Sequence, residues 1–145
     1  TAGVNSLAVD WAAEIAISAS DDCCLRLWDL ERRECILVLA GHTDAVTCVA
    51  LSVASARAVS GAKDCSLRLW SLRSGEALRE FLGHYSQLNC VSADLGGRGP
   101  AAATGSISIV RVWDLSSTGL YKDVPGHDAA VTCVDVDWLP RPEMS

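Results

Sequence analysis

Residues 41–70 read GHTDAVTCVALSVASARAVSGAKDCSLRLW, and this stretch decides the fold. It opens on Gly41-His42 and closes on Trp70. The same landmarks return along the chain: Gly83-His84 and Gly126-His127 lie 42 and 85 residues downstream of Gly41-His42. Trp28, Trp70 and Trp113 are spaced by 42 and 43 residues. A fixed period of this length marks one small unit used several times, and such a unit buries its apolar face only against its neighbours.

Within the stretch, Val46 to Leu51 is apolar and β-branched, which predicts a first strand, a. Ala56 to Ser60 predicts strand b, and the alternating Leu67 to Trp70 predicts strand c. Ala77 to Leu82 alternates as well and predicts strand d. Gly61 to Asp64 and Arg73 to Glu76 supply turn residues between them. Four strands within one period leave no room for a helix. In the first unit the corresponding segments are Val4–Val9, Glu14–Ser18, Leu25–Trp28 and Cys35–Leu39. In the third they are Leu88–Ala93, Ala101–Thr104, Ile109–Trp113 and Leu120–Val124. Val131 to Val136 predicts another strand a, opening a fourth unit. Pro140 and Pro142 predict an irregular tail over 139–145, and Gly96 to Pro100 predicts a long, mobile loop between strands a and b of the third unit.

Bulk properties narrow the function. The chain has 145 residues, half of them hydrophobic, and a net charge of -6. Nucleic-acid binding needs clustered Lys and Arg, but here no basic run exceeds Arg32-Arg33. No apolar stretch is long enough to cross a bilayer as a helix. The chain does not begin with Met and reads as an excerpt of something longer. Its seven cysteines fit a reducing cytoplasmic or nuclear setting better than a disulfide framework. They recur with the unit: Cys48, Cys90 and Cys133 lie six residues after a His, and Cys23 and Cys65 lie five before a Trp. Zinc ligands come in close pairs, and Cys23-Cys24 has no second pair, so buried small side chains are expected and no metal or other cofactor is implied.

A four-stranded unit with Gly-His before strand a and Trp-Asp closing strand c resembles the WD-repeat family, whose fold is the β-propeller. Trp28-Asp29 and Trp113-Asp114 carry the signature, and Trp70-Ser71 departs from it at the second position. The resemblance implies an all-β chain with three complete antiparallel blades, over about 4–39, 46–82 and 88–124, and the opening strand of a further blade over 131–137. It implies a ring of about seven blades, the remainder supplied by the rest of a longer chain or by another chain. It also implies a buried hydrogen-bonded set within each unit. The complete set here is His42, Ser60, Asp64 and Trp70; the first unit offers Ser18, Asp22 and Trp28, and the third His84 and Trp113. Ile107 stands where the third unit should carry Asp, and its b–c connection is a residue shorter, so a rearranged network is expected there.

A Ser, a His and an Asp together also suggest a hydrolase triad, but that chemistry needs an accessible serine and an oxyanion site, and catalytic sets are not repeated from unit to unit. Gly96 to Gly99 lacks the Gly-Lys-Ser/Thr ending of a phosphate loop. Arg26, Arg68 and Arg111 each lie two residues before a Trp, so each is expected to pack its stem on that ring. No catalytic residue is assigned. The resemblance implies a protein-interaction scaffold that docks peptides or proteins on the face made by the d–a and b–c loops, with Asp21, Asp44, Lys63, Tyr85, Ser86 and Asp128 as the docking residues. The other reading is a targeting or sensor segment of a larger regulatory enzyme of kinase, nucleotide-binding or ubiquitin-ligase type. Neither reading involves nucleic acid or a membrane.

Overall fold

The computed structural model describes residues 2–96, 99–117 and 120–138. Its regular structure is strand throughout, in three four-stranded sheets that follow one another along the chain. The first holds β1 (Val4–Asp10), β2 (Ile15–Ser20), β3 (Cys24–Asp29) and β4 (Glu34–Ala40). The second holds β5 (Val46–Ser52), β6 (Arg57–Ala62), β7 (Leu67–Ser71) and β8 (Ala77–Phe81). The third holds β9 (Cys90–Asp94), β10 (Ala101–Gly105), β11 (Ile107–Asp114) and β12 (Leu120–Ala130). Each is an antiparallel meander, as short connections between sequential strands require. Three consecutive four-stranded antiparallel sheets fit a β-propeller.

Strand alternation gives the second sheet two apolar faces, and the cores form between sheets. Ile17, Ala19, Leu25, Leu27 and Leu39 of the first sheet pack on Val49, Ala58 and Trp70 of the second. Val59, Leu67, Leu69 and Phe81 on the opposite face of the second sheet pack on Leu88, Ala102 and Trp113. Side-chain hydrogen bonds stitch the same interfaces: Asn5 Nδ2 donates to Val46 O at 2.9 Å and Thr47 Oγ1 donates to Leu88 O. Asn89 Nδ2 likewise donates to Val131 O, in the segment after β12, at 3.0 Å. Close approach also needs Gly61, where a Cβ would sit 2.8 Å from Cys48 Sγ and 2.9 Å from Leu88 Cβ.

Several expectations need correction. The third sheet starts its first strand at Cys90 rather than Leu88, and β12 runs on through Gly126-His127 to Ala130. Residues 131–138 form no strand, because a strand exists only by its ladder and no strand among the described residues pairs with them. The segment nonetheless seats itself on the third sheet: Val131 is buried, its N–H donates to Ser106 O at 2.8 Å, and Trp138 Nε1 donates to Ser92 Oγ at 3.2 Å. The cysteines divide by coverage. Cys48 and Cys90 are buried beneath a neighbouring unit, whereas Cys23, Cys24 and Cys65 are half-buried and Cys35 and Cys133 exposed. Of the expected Gly96–Pro100 loop, Gly97 and Arg98 lie outside the described residues, as does the tail 139–145.

Candidate functional site

The second sheet holds a hydrogen-bonded chain at its upper end. β7 carries Trp70 and β6 carries Ser60, while His42 enters from the loop before β5 and Asp64 from the β6–β7 turn. Trp70 Nε1 donates to Ser60 Oγ at 2.8 Å. Ser60 Oγ lies 2.7 Å from His42 Nε2, and His42 Nδ1 lies 2.9 Å from Asp64 Oδ2. Only one order of donors satisfies all three contacts. The indole donates to the hydroxyl, the hydroxyl donates to Nε2, and the Nδ1–H donates to the carboxylate. Asp64 also accepts from Thr43 N at 3.0 Å, from Ser66 N at 2.9 Å and from Ser66 Oγ at 2.7 Å.

The ionisation states agree with that order. Burial pushes the Asp64 carboxyl upward, but the bonds from Ser66, His42 and the Thr43 amide outweigh it and hold it at about 2. Burial lowers His42 more than Asp64 raises it, so the ring stays neutral. Ser, His and Asp here stand in the geometry of a hydrolase triad, yet Ser60 is fully buried and its oxygen accepts the Trp70 N–H. No substrate carbonyl can reach that oxygen, so the set can hold a loop to a sheet but cannot perform acyl transfer. The glycine of Gly41-His42 lets the loop lie flat: a Cβ there would come within 2.7 Å of Arg68 Nη1 and 3.1 Å of Trp70 Cη2.

The third sheet builds the chain differently. Trp113 Nε1 donates to Thr104 Oγ1 at 2.8 Å, Thr104 Oγ1 lies 2.7 Å from His84 Nε2, and Ser106 Oγ lies 3.1 Å from Nδ1. Thr104 replaces the serine and Ser106 stands in for the lost carboxylate. Sequence reading left both out of the set; the available signal was a hydroxyl next to each expected place, Thr104 one residue after 103 and Ser106 one before Ile107. Without a carboxylate partner, burial and then the Arg111 charge bring His84 down to about 4.

The first sheet keeps only one link, Trp28 Nε1 to Ser18 Oγ at 2.9 Å. Asp22, expected to join it, instead accepts from Arg26 Nη1 at 2.7 Å and from Cys24 N at 3.1 Å, and the guanidinium lowers its carboxyl. Arg26 is free to do so because Val38 faces it across the ladder. In the other sheets the facing residue is acidic, and Arg68 pairs with Glu80 at 3.0 Å and Arg111 with Asp123 at 2.9 Å. The Arg111 guanidinium lies 5.5 Å from the centre of the Tyr85 ring.

Of the expected docking residues, Asp21, Asp44, Lys63, Tyr85 and Asp128 are exposed and Ser86 is half-buried. Tyr85 is 96% exposed, and with Ser86 it edges a pocket of about 540 Å³ in the third sheet. Asp21 accepts from Asn5 Nδ2 at 2.8 Å, at the junction of the first two sheets. Asp44 accepts from the Ala45 N–H at 2.7 Å, and the Lys63 N–H donates to Ala45 O at 2.9 Å, so both sit beside the second sheet's first strand. Asp44, Lys63 and Asp128 do not line the pocket. No three potential metal ligands converge among the described residues.

Comparison with known proteins agrees with this geometry. Residues 1–29 and 33–71 match the family described as WD domain, G-beta repeat. The chain carries WD repeats over those residues. Its three four-stranded sheets fit the β-propeller that such repeats build. Over 43 residues it is 46% identical to the probable E3 ubiquitin ligase complex SCF subunit sconB of Talaromyces stipitatus, and equally to that of Aspergillus terreus. The identity to the Aspergillus oryzae protein of the same description is 44%. Each match covers 30% of this chain and 6% of the relative, so the likeness concerns about one repeat.

Proposed function

We propose that the chain is a non-catalytic scaffold that docks peptide or protein partners on the face formed by its d–a and b–c loops, within a propeller of about seven blades. The observation that carries this reading is the division of labour between buried and exposed groups. His42, Ser60, Asp64 and Trp70 are consumed in holding loop to blade, while Tyr85, Lys63 and Asp44 project from the same loops into solvent. Rigid scaffolds with exposed loops are suited to recognition, and Tyr is a common anchor at interfaces. A second arrangement, in which the repeats target a larger ubiquitin-ligase assembly, draws support from the description of the sconB relatives and uses the same docking face.

The test is a pull-down with the complete reading frame as bait. Tyr85→Ala and Lys63→Glu are expected to reduce partner recovery severalfold while leaving the melting temperature within a degree or two, because surface changes away from buried features alter stability by only about ±0.5 kcal/mol. Equal recovery with both variants would reject this face. A ligase component among the captured proteins would select the second arrangement.

A further inference from the structure

The pocket beside Tyr85 includes Ser106, which meets His84 Nδ1 as the Asp64 carboxylate meets His42 Nδ1 in the second blade. There the hydrogen-bonded chain from Trp70 ends on Asp64, which also takes the Thr43 N–H. The third blade keeps the donors and lacks the terminal acceptor. Trp113 donates to Thr104, and with His84 protonated on Nδ1, the tautomer that keeps the hydrogen of the fully buried Thr104 paired, Thr104 donates to Nε2 and Nδ1–H to Ser106 Oγ. The chain of donors therefore ends on a hydroxyl whose own hydrogen meets no acceptor among the described residues, although Ser106 is 2% exposed. The Tyr85 N–H, at the place of Thr43, likewise meets none among them. Both groups lie in the wall of the pocket, beside His84, Ser86 and Arg111.

Ser106 is buried, so its hydroxyl hydrogen gains from an acceptor, and a run of hydrogen bonds polarised in one direction favours negative charge at its end. The b–c connection is shorter here, and Ser106, with Ile107 and Ser108 at the start of β11, lines the pocket. Asp123 also lines it and is paired with Arg111, its Oδ1 2.9 Å from Nε. We propose that this pocket takes the carboxylate of an Asp or Glu side chain presented by a protein partner, with the Ser106 hydroxyl and the Tyr85 N–H as its donors. The inference rests on the docking-face reading and names the chemistry that one blade of that face selects. The exposed Tyr85 ring, held over Arg111, would form the rim against which the partner's chain lies.

The experiment is an NMR titration of the isotope-labelled full chain at constant pH, first with acetate and acetamide, then with N-acetyl-Gly-Asp-Gly-amide and its Asn counterpart. Acetate and the Asp peptide are expected to move the His84 ring and Tyr85 amide signals and to leave those of His42 in place. The Asp peptide should bind about tenfold more tightly than the Asn peptide, a difference of about 1.4 kcal/mol. Ile107→Asp, which supplies an acid within the chain, should abolish the response; if that variant does not fold, the wild-type titration decides alone. Unmoved His84 signals, or equal movement at His42, would overturn the proposal. Equal affinity of the two peptides would overturn the assignment to an acidic partner side chain. Because the titration reads the pocket directly, a failed pull-down with Tyr85→Ala would leave a positive acetate response standing.

Discussion

At the scale of single residues, one carboxylate anchors the second blade. Asp64→Ala leaves the His42 Nδ1–H, the Thr43 N–H and the Ser66 hydroxyl without their acceptor, and should destabilise the blade by about 2–4 kcal/mol. Urea denaturation of wild type and variant measures it, and an unchanged midpoint would show that these donors find water instead. The histidines give a second prediction. His84 titrates at about 4 in the folded chain, against 6.5 for the free side chain. Below pH 6.5 the unfolded chain takes up this proton first, so the group's contribution is complete above that value and is lost as pH falls toward 4. His42 is shifted in the same direction, and Asp64 follows at lower pH, between 3.8 and about 2. Denaturation midpoints should therefore drop between pH 7 and pH 4.5; a flat profile would contradict it. The members of the second blade's set were legible from spacing, because an indole, a hydroxyl, an imidazole and a carboxylate form one directional sequence of donors. Asp22 was not, since its partner was decided by Val38 across the ladder, which frees Arg26 to turn back on it.

At the scale of elements, the turns repeat as faithfully as the strands. The b–c turns of the first two blades place Cys23 and Cys65 at φ of 70° and 68°, and the c–d turns place Arg33 at 58° and Gly75 at 78°. Left-handed backbone costs an L-residue about 1–2 kcal/mol, and glycine escapes that strain at some loss of chain entropy. Gly75 occupies in the second blade the turn that the exposed Arg33 occupies in the first. Arg33→Gly should then stabilise the first blade by up to about 1 kcal/mol, read as a higher melting temperature. A lower one would mean that the Arg33 side chain contributes more than its backbone strain costs. The strands themselves were legible from alternation and turn chemistry, but their ends were not. Val131 to Val136 has every mark of a strand in its composition, yet composition states a preference for pairing and does not furnish the partner.

At the scale of the whole molecule, stability resides between blades as much as within them. The second blade contributes one face to the core with the first blade and the other to the core with the third, so its burial depends on both neighbours. Thr47→Val removes the donor that reaches from β5 to Leu88 O, and should cost about 1 kcal/mol. The loss should be local: amide exchange should quicken in β9 and β10 and stay unchanged in β1 to β4, and uniform quickening would argue against nearest-neighbour coupling. The periodicity made this architecture readable at once, whereas the fate of each cysteine depended on which sheet covers it. Cys48 lies beneath the third blade and is pushed up to about 12 by burial, while Cys133 is exposed. The bridges from Asn5 and Thr47 carry one more implication. Adjacent blades are gripped by side chains as well as by the peptide that links them, so a protease nick in the loop between Phe81 and Cys90 should leave two pieces that still co-migrate on a sizing column. Severed halves of this chain are thus natural candidates for reassembly from separately expressed parts, a property that fragment-complementation reporters exploit.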